Sequence, residues 1–255
     1  MKTAKTLIAA ATLISAISLG TWWFAWEPPH KTETRHLPLL AQLRRGLRRL
    51  RREPNFLRFV TSRVLLAASM GMVTPFLVPF AYRDLGMTQA MVGLALSAGV
   101  LSDSMFNILW SRLSARLGNR LVLLVSCWAQ MAAITLALAV PLLPALPLGR
   151  VLGLEFDLRL AAMLLVFAAA GASRSGQGTG HNAYLLDVTP ERTRPVYMAT
   201  YYLLVFPFAF MPLMTGALIG SAGRYALAFA LGGLLTAANL ITYRALADLH
   251  IGAEH

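Results

Sequence analysis

Charge and cysteine are what this sequence has least of. Only 13% of its 255 residues are charged, and its one cysteine, Cys127, stands inside an apolar run. A lone cysteine excludes an intrachain disulfide and argues against a Cys-ligated metal cluster, so Cys127 reads as inert packing. Acids are scarcer than bases, 11 against 23, for a net charge of +12. There is no H-E-x-x-H, no G-x-S-x-G and no P-loop, and no nucleophile is grouped with a base. Enzymatic catalysis, a metal and a cofactor are therefore not expected. Gly178-x-Gly180-x-x-Ala183 fits a dinucleotide fingerprint formally, but that motif needs a preceding strand and a βαβ unit, and neither is read here. The basic excess would suit a nucleic-acid binder if it covered one soluble face. Its arginines instead fall between apolar stretches, which excludes nucleic acid as the expected partner.

What the sequence has in quantity is hydrophobic side chains, at 57%. They gather in runs near twenty residues long, each able to cross about 30 Å of hydrocarbon as a helix. The spans read as 6–26, 57–82, 90–110, 121–143, 158–186, 196–220 and 225–246. The expected fold is an all-α polytopic membrane protein of about seven transmembrane helices, with the lipid bilayer as its solvent. Three regions follow: a single helix over 1–26, a basic linker over 27–56, and a six-helix bundle over 57–255.

The first span competes with a signal peptide, with Lys2 and Lys5 ahead of Leu7 to Leu19. No small-x-small cleavage site precedes Trp22, and Trp22, Trp23 and Trp26 read as an interfacial belt, so the span reads as retained. In the linker, Pro28, Pro29 and Pro38 keep the start extended. Beyond them Leu40, Leu43, Leu47 and Leu50 recur at helical spacing with arginines on the other face, a pattern that suits an amphipathic helix on an anionic membrane surface. Alternate loops differ in charge. Arg112, Arg116, Arg120, Arg192, Arg194 and Arg244 share one side with the ten cations from Lys31 to Arg63. Lys2, Lys5, Arg83, Arg150, Arg159 and Arg224 share the other. The richer side is read as cytoplasmic, which puts the N-terminus outside and the C-terminus inside. The six later spans divide into two sets of three that start from opposite sides, a recurrent plan of secondary transporters. Pro75, Pro79, Pro207 and Pro212 fall within spans, where kinks are tolerated.

Ser111 to Arg120 reads as a ten-residue basic turn between two spans. Arg116, Gly118 and Arg120, with the lead-in through Arg112, resemble the loop signature of the major facilitator superfamily, roughly G-x-x-x-D-R-x-G-R-R. Ser111 and Ala115 depart from it, and the acid that Ala115 replaces helps lock the two halves of such transporters. Asp187-Val-Thr-Pro-Glu-Arg-Thr-Arg194 also resembles the run joining the family's tenth and eleventh helices. The resemblance implies the sixth helix, central linker and C-terminal half of that fold, in a cell (inner) membrane. It implies secondary active transport of a small solute by alternating access, as a symporter or antiporter driven by a proton or other coupling ion. It also implies pairing with a second half-transporter or a homodimer. A non-transporting assembly or regulatory membrane protein is the alternative.

Ionisable groups inside hydrocarbon cost about 2.5–3.5 kcal/mol each even on gentle insertion scales, which marks them as functional candidates. Arg174, Gln177 and His181 sit three and seven residues apart, so they share one face of a helix. The resemblance makes that helix the tenth, which lines the family's central cavity. Arg174 reads as an anion contact or a structural ion pair, and Gln177 as a substrate or interhelical hydrogen bond. His181 reads as a contact, a proton carrier or a hydrated end group. Asp103 is the carboxylate deepest in a span, with Asn107 one turn on. It is expected to titrate during transport, to balance Arg174, or to pair with Arg112. Gly176-x-Gly178-x-Gly180 and Gly216-x-x-x-Gly220 are expected to permit close helix approach.

Overall fold

The computed structural model describes residues 52–151, 154–190, 194–222 and 224–247, with Thr12 and Gly46. All of the first span but Thr12, and all of the linker but Gly46 and residues 52–56, lie outside the described residues. Gly46 is helical and buried, and a Cβ there would collide with the Thr200 side chain. At Gly46 the linker thus lies against the bundle and not on a lipid surface, and its last residues, from Pro54, already form the first bundle helix, with Phe56 buried.

Among the described residues, six helical segments are long and apolar enough to cross a membrane, at 54–83, 89–117, 119–142, 158–188, 194–220 and 225–244. Two of them are interrupted where proline removes a backbone donor. The first runs as α1 (Pro54–Val73), a 3-10 step over Thr74–Phe76, and α2 (Leu77–Arg83). After it come α3 (Gln89–Leu117), α4 (Asn119–Ala139) and α5 (Leu158–Val188). The fifth segment runs as α6 (Arg194–Val205), a 3-10 step over Phe206–Phe210, and α7 (Met211–Ala222). The chain then forms α8 (Tyr225–Arg244).

The basic turn is shorter than the sequence suggests. Residues 111–117 continue α3, and α4 starts at Asn119, so Gly118 alone makes the reversal. Leucine, alanine and arginine favour helix, and Arg116 in the last turn complements the helix dipole. Gly118 has φ 84° and ψ 160°, a region that residues with a Cβ avoid. At the opposite end, a short antiparallel hairpin forms the loop of this all-α fold: β1 (Pro147–Val151) pairs with β2 (Leu154–Asp157), with Arg150 opposite Glu155. Pro144, Pro147 and Gly149 rule out a helix there. Asp157 then caps α5, accepting from the Leu160 amide at 2.7 Å.

The helices pack through small residues. Gly171 of α5 lies on the backbone of α3 at Gly99, and a Cβ on Gly176 would be 2.6 Å from Ser126 of α4. A Cβ on Gly232 of α8 would be 2.5 Å from the Val73 side chain of α1. Buried apolar side chains form two clusters. Phe80, Ile134, Met163 and Phe229 anchor one towards the hairpin end. Phe56, Phe59, Tyr184, Tyr201 and Tyr243 anchor the other towards the basic end.

Replacing Gly118 by alanine forces a side chain into a glycine-only conformation, at a cost of about 1–3 kcal/mol. The purified protein in detergent is expected to unfold at lower temperature. An unchanged midpoint would show that the turn relaxes without strain.

Candidate functional site

Asp103 lies at the midpoint of the 29-residue α3, and Arg174 lies near the middle of the 31-residue α5. The two helices run parallel, so these midpoints meet. Arg174 donates to Asp103 Oδ2 from both Nε, at 3.2 Å, and Nη2, at 2.9 Å. The side chains remain 48% and 32% exposed, so the pair lies on an open flank of the bundle and not in its core. Thr179 Oγ1 donates to Asn107 Oδ1 at 3.2 Å one turn further on. Gly178 and Asn182 are exposed on the same stretch of α5. Together these residues make a polar furrow between α3 and α5. Its base is fixed by Ser102 Oγ donating to the Ala168 carbonyl at 2.7 Å and Trp110 Nε1 donating to that of Ala172 at 2.9 Å.

Gln177 and His181 do not join this furrow. They are 1% and 2% exposed, turned into the bundle towards α8. At 100° per residue, Gln177 and His181 lie to one side of Arg174 on the helix, whereas Gly178, Asn182 and Thr179 lie to the other, so the boundary between buried face and furrow falls beside Arg174. Tyr243 OH lies 2.7 Å from Gln177 Oε1 and 3.1 Å from His181 Nε2. His181 Nδ1 lies 2.7 Å from the Gln177 backbone carbonyl, which only accepts, so Nδ1 carries a proton. With a neutral imidazole, the single Tyr243 hydroxyl proton faces two acceptors. A second proton on His181 would give every one of these bonds its donor.

This triad belongs to a seam of buried polar groups. Ser69 Oγ and Thr236 Oγ1 are 2.7 Å apart. Gln130 Oε1, Ser173 Oγ and Asn239 Nδ2 are buried with no hydrogen-bond partner among the described residues. Arg63 was counted with the linker cations by charge alone, yet it lies inside α1. Its Nε is likewise buried and unpartnered among the described residues, and the side chain stands beside His181 and Tyr201. Sequence reasoning missed Arg63 and Tyr243. The signal for Arg63 was present, since it falls within the 57–82 span; nothing local marks Tyr243.

At the basic end, Asn119 ties three helices together. Ser114 Oγ bonds Asn119 Oδ1, and Asn119 Nδ2 donates to Asp187 Oδ2 at 2.6 Å. An acid therefore reaches the turn from α5, although Ala115 supplies none. Arg120 Nη2 donates to the Arg244 carbonyl at 2.8 Å, while Arg112 and Arg116 are exposed. Asp103 pairs with Arg174 and not with Arg112. Cys127 is buried and free, and the described residues hold no group of His, Cys, Asp and Glu fit for a metal ion.

The family model described as the Major Facilitator Superfamily matches residues 59–249, three quarters of the chain. The chain belongs to the Major Facilitator Superfamily. It is thus a multi-pass membrane protein of a transporter family whose members are typically not enzymes. None of the curated proteins compared with it matches.

Tyr243→Phe would leave the acceptors Gln177 Oε1 and His181 Nε2 without their donor. A buried polar group left unsatisfied costs about 1–3 kcal/mol. The variant is expected to insert normally and unfold at a lower temperature than wild type in the same detergent. Equal midpoints would mean that the hydroxyl holds nothing in place.

Proposed function

We propose that this protein performs secondary active transport of a small solute by alternating access, coupled to a proton or other ion, with Asp103–Arg174 as its switch. The observation that carries this reading is the position of the pair: mid-helix on both elements, and half exposed. Each charge costs about 2.5–3.5 kcal/mol at the centre of a bilayer. Lipid on that flank would leave the cost unpaid, so the furrow faces water or a polar partner. We read that partner as a second helical bundle, from another half-transporter or a second copy, enclosing a watery cavity at the midplane.

Within the furrow, two outcomes compete for Asp103. As a carboxylate it holds Arg174; once protonated it releases the guanidinium. A free Arg174 then offers its donors to an anionic or carbonyl group of the solute, with Asn107 and Thr179 alongside. Exchange between these pairings couples proton and solute, because each changes the stability of the other. The basic turn with Arg112, Arg116, Gly118 and Arg120 is placed on the cytoplasmic side by the excess of arginine there, and the membrane is read as the cell (inner) membrane.

The test uses the full chain in proteoliposomes with a pH-sensitive dye inside, alone and with a co-reconstituted second bundle, screened across a solute panel. For a solute that drives a proton signal, Asp103→Asn and Arg174→Ala are each expected to cut flux at least about tenfold while the amount inserted is unchanged. One lost charge-assisted hydrogen bond corresponds to an effect of that size. Unchanged flux in both furrow variants would remove the pair from the mechanism.

A further inference from the structure

The Gly216-x-x-x-Gly220 step makes no close helix contact among the described residues. A Cβ on Gly220 would meet nothing within 4 Å, and one on Gly216 would meet only the Phe76 ring, at 3.8 Å. The two glycines instead form part of the wall of a cavity of about 420 Å³ at the hairpin end of the bundle, between α2, α7 and the start of α8. Phe76, Pro79, Ile219 and Tyr225 give it apolar walls, and Arg83 and Asp84 bring one charge of each sign. The cavity lies beside the breaks in two helices. The 3-10 step at Thr74–Phe76 offsets α2 from α1, and a Cβ on Gly71 just below would be 2.7 Å from Met211, where α7 resumes after its own break.

Arg83 and Asp84 are exposed, and neither belongs to an ion pair within 4 Å among the described residues. Adjacent charges of opposite sign that do not neutralise each other select against simple ions. Asp84 repels an anion that Arg83 attracts, and Arg83 repels a cation that Asp84 attracts. A purely apolar guest would leave both charges unmatched. We propose that this cavity binds a zwitterion carrying an apolar tail, with its anionic group on Arg83, its N–H-bearing ammonium on Asp84, and its tail between Phe76 and Tyr225. The glycines leave room for that tail, because any side chain at Gly220 would project into the open space. The site is independent of the Asp103–Arg174 switch and stands whether or not that pair moves a solute.

Two sources share this chemistry: the ethanolamine headgroup of a phospholipid, and a free apolar amino acid such as leucine. The full chain is released from nanodiscs containing equal phosphatidylethanolamine and phosphatidylglycerol into a native mass spectrometer. In parallel, leucine binding is measured by calorimetry in discs of phosphatidylglycerol alone. About tenfold preferential retention of phosphatidylethanolamine, lost in Arg83→Gln and in Asp84→Asn and reduced by the cavity-filling Gly220→Leu, supports the site and assigns it to lipid. Leucine binding lost in the same three variants supports it and assigns it to a soluble zwitterion. Equal retention of both lipids with no leucine binding overturns the proposal. So does any binding that Arg83→Gln and Asp84→Asn leave unmoved.

Discussion

Hydrocarbon does not solvate charge or free backbone, and that constraint shapes every feature of this bundle. It makes helices the only open-ended way to cross, since each satisfies its own backbone. It also withdraws the hydrophobic drive between helices, because lipid is as apolar as leucine. Packing and hydrogen bonds must then hold the bundle together. The close approaches at Gly99 with Gly171, Gly176 with Ser126 and Gly232 with Val73 supply the first. The bonds from Ser102, Trp110, Ser69 and Tyr243 across helix boundaries supply the second.

The same constraint sorts the polar residues into two groups with different work. The buried seam from Ser69 and Thr236 to Gln177, His181 and Tyr243 is linked by hydrogen bonds across helices, although Gln130 Oε1, Ser173 Oγ and Asn239 Nδ2 beside it have no partner among the described residues. Such a seam fixes the register of three helices, α1, α5 and α8, since a slip would strand several partners at once. The Asp103–Arg174 pair is internally neutral but half open. It sits where a packed core would be easiest to build and is left exposed there. A structural pair is better served by burial among its hydrogen-bond partners, whereas a pair that must exchange partners needs access.

The fold was largely legible in the sequence, because crossing a bilayer needs about twenty apolar residues and little else. The six described spans fall where the uncharged runs lie, within a few residues at most ends. The ends moved where charge and helix propensity disagreed. Ser111 to Leu117 is charged enough to suggest a loop yet rich in helix formers, and the helix prevailed up to Gly118. The β-hairpin was invisible because a short strand pair leaves no periodic signal between prolines and glycines. At the site, Asp103, Asn107 and Arg174 were recognisable from the cost of polarity at mid-span, and their meeting was one of the pairings considered. Tyr243 was not, since a tyrosine near a helix end is ordinary until its partners on α5 are known. Helical spacing also grouped Arg174 with Gln177 and His181, whereas α3 and α8 meet different sides of α5 and the boundary between those sides falls beside Arg174.

The account stands or falls on whether water reaches the flank of α5 at Arg174. Gly178 is exposed one turn away, and a side chain there would meet nothing within 4 Å. In a Cys127→Ala background, Gly178→Cys in native membranes would be treated with a charged, membrane-impermeant methanethiosulfonate. Leu234→Cys on α8, at a position 68% exposed with an apolar surround, serves as the lipid-facing control. The account predicts rapid modification at 178 and little at 234. Protection of both positions alike would place the ion pair against lipid or sealed protein and contradict the central claim.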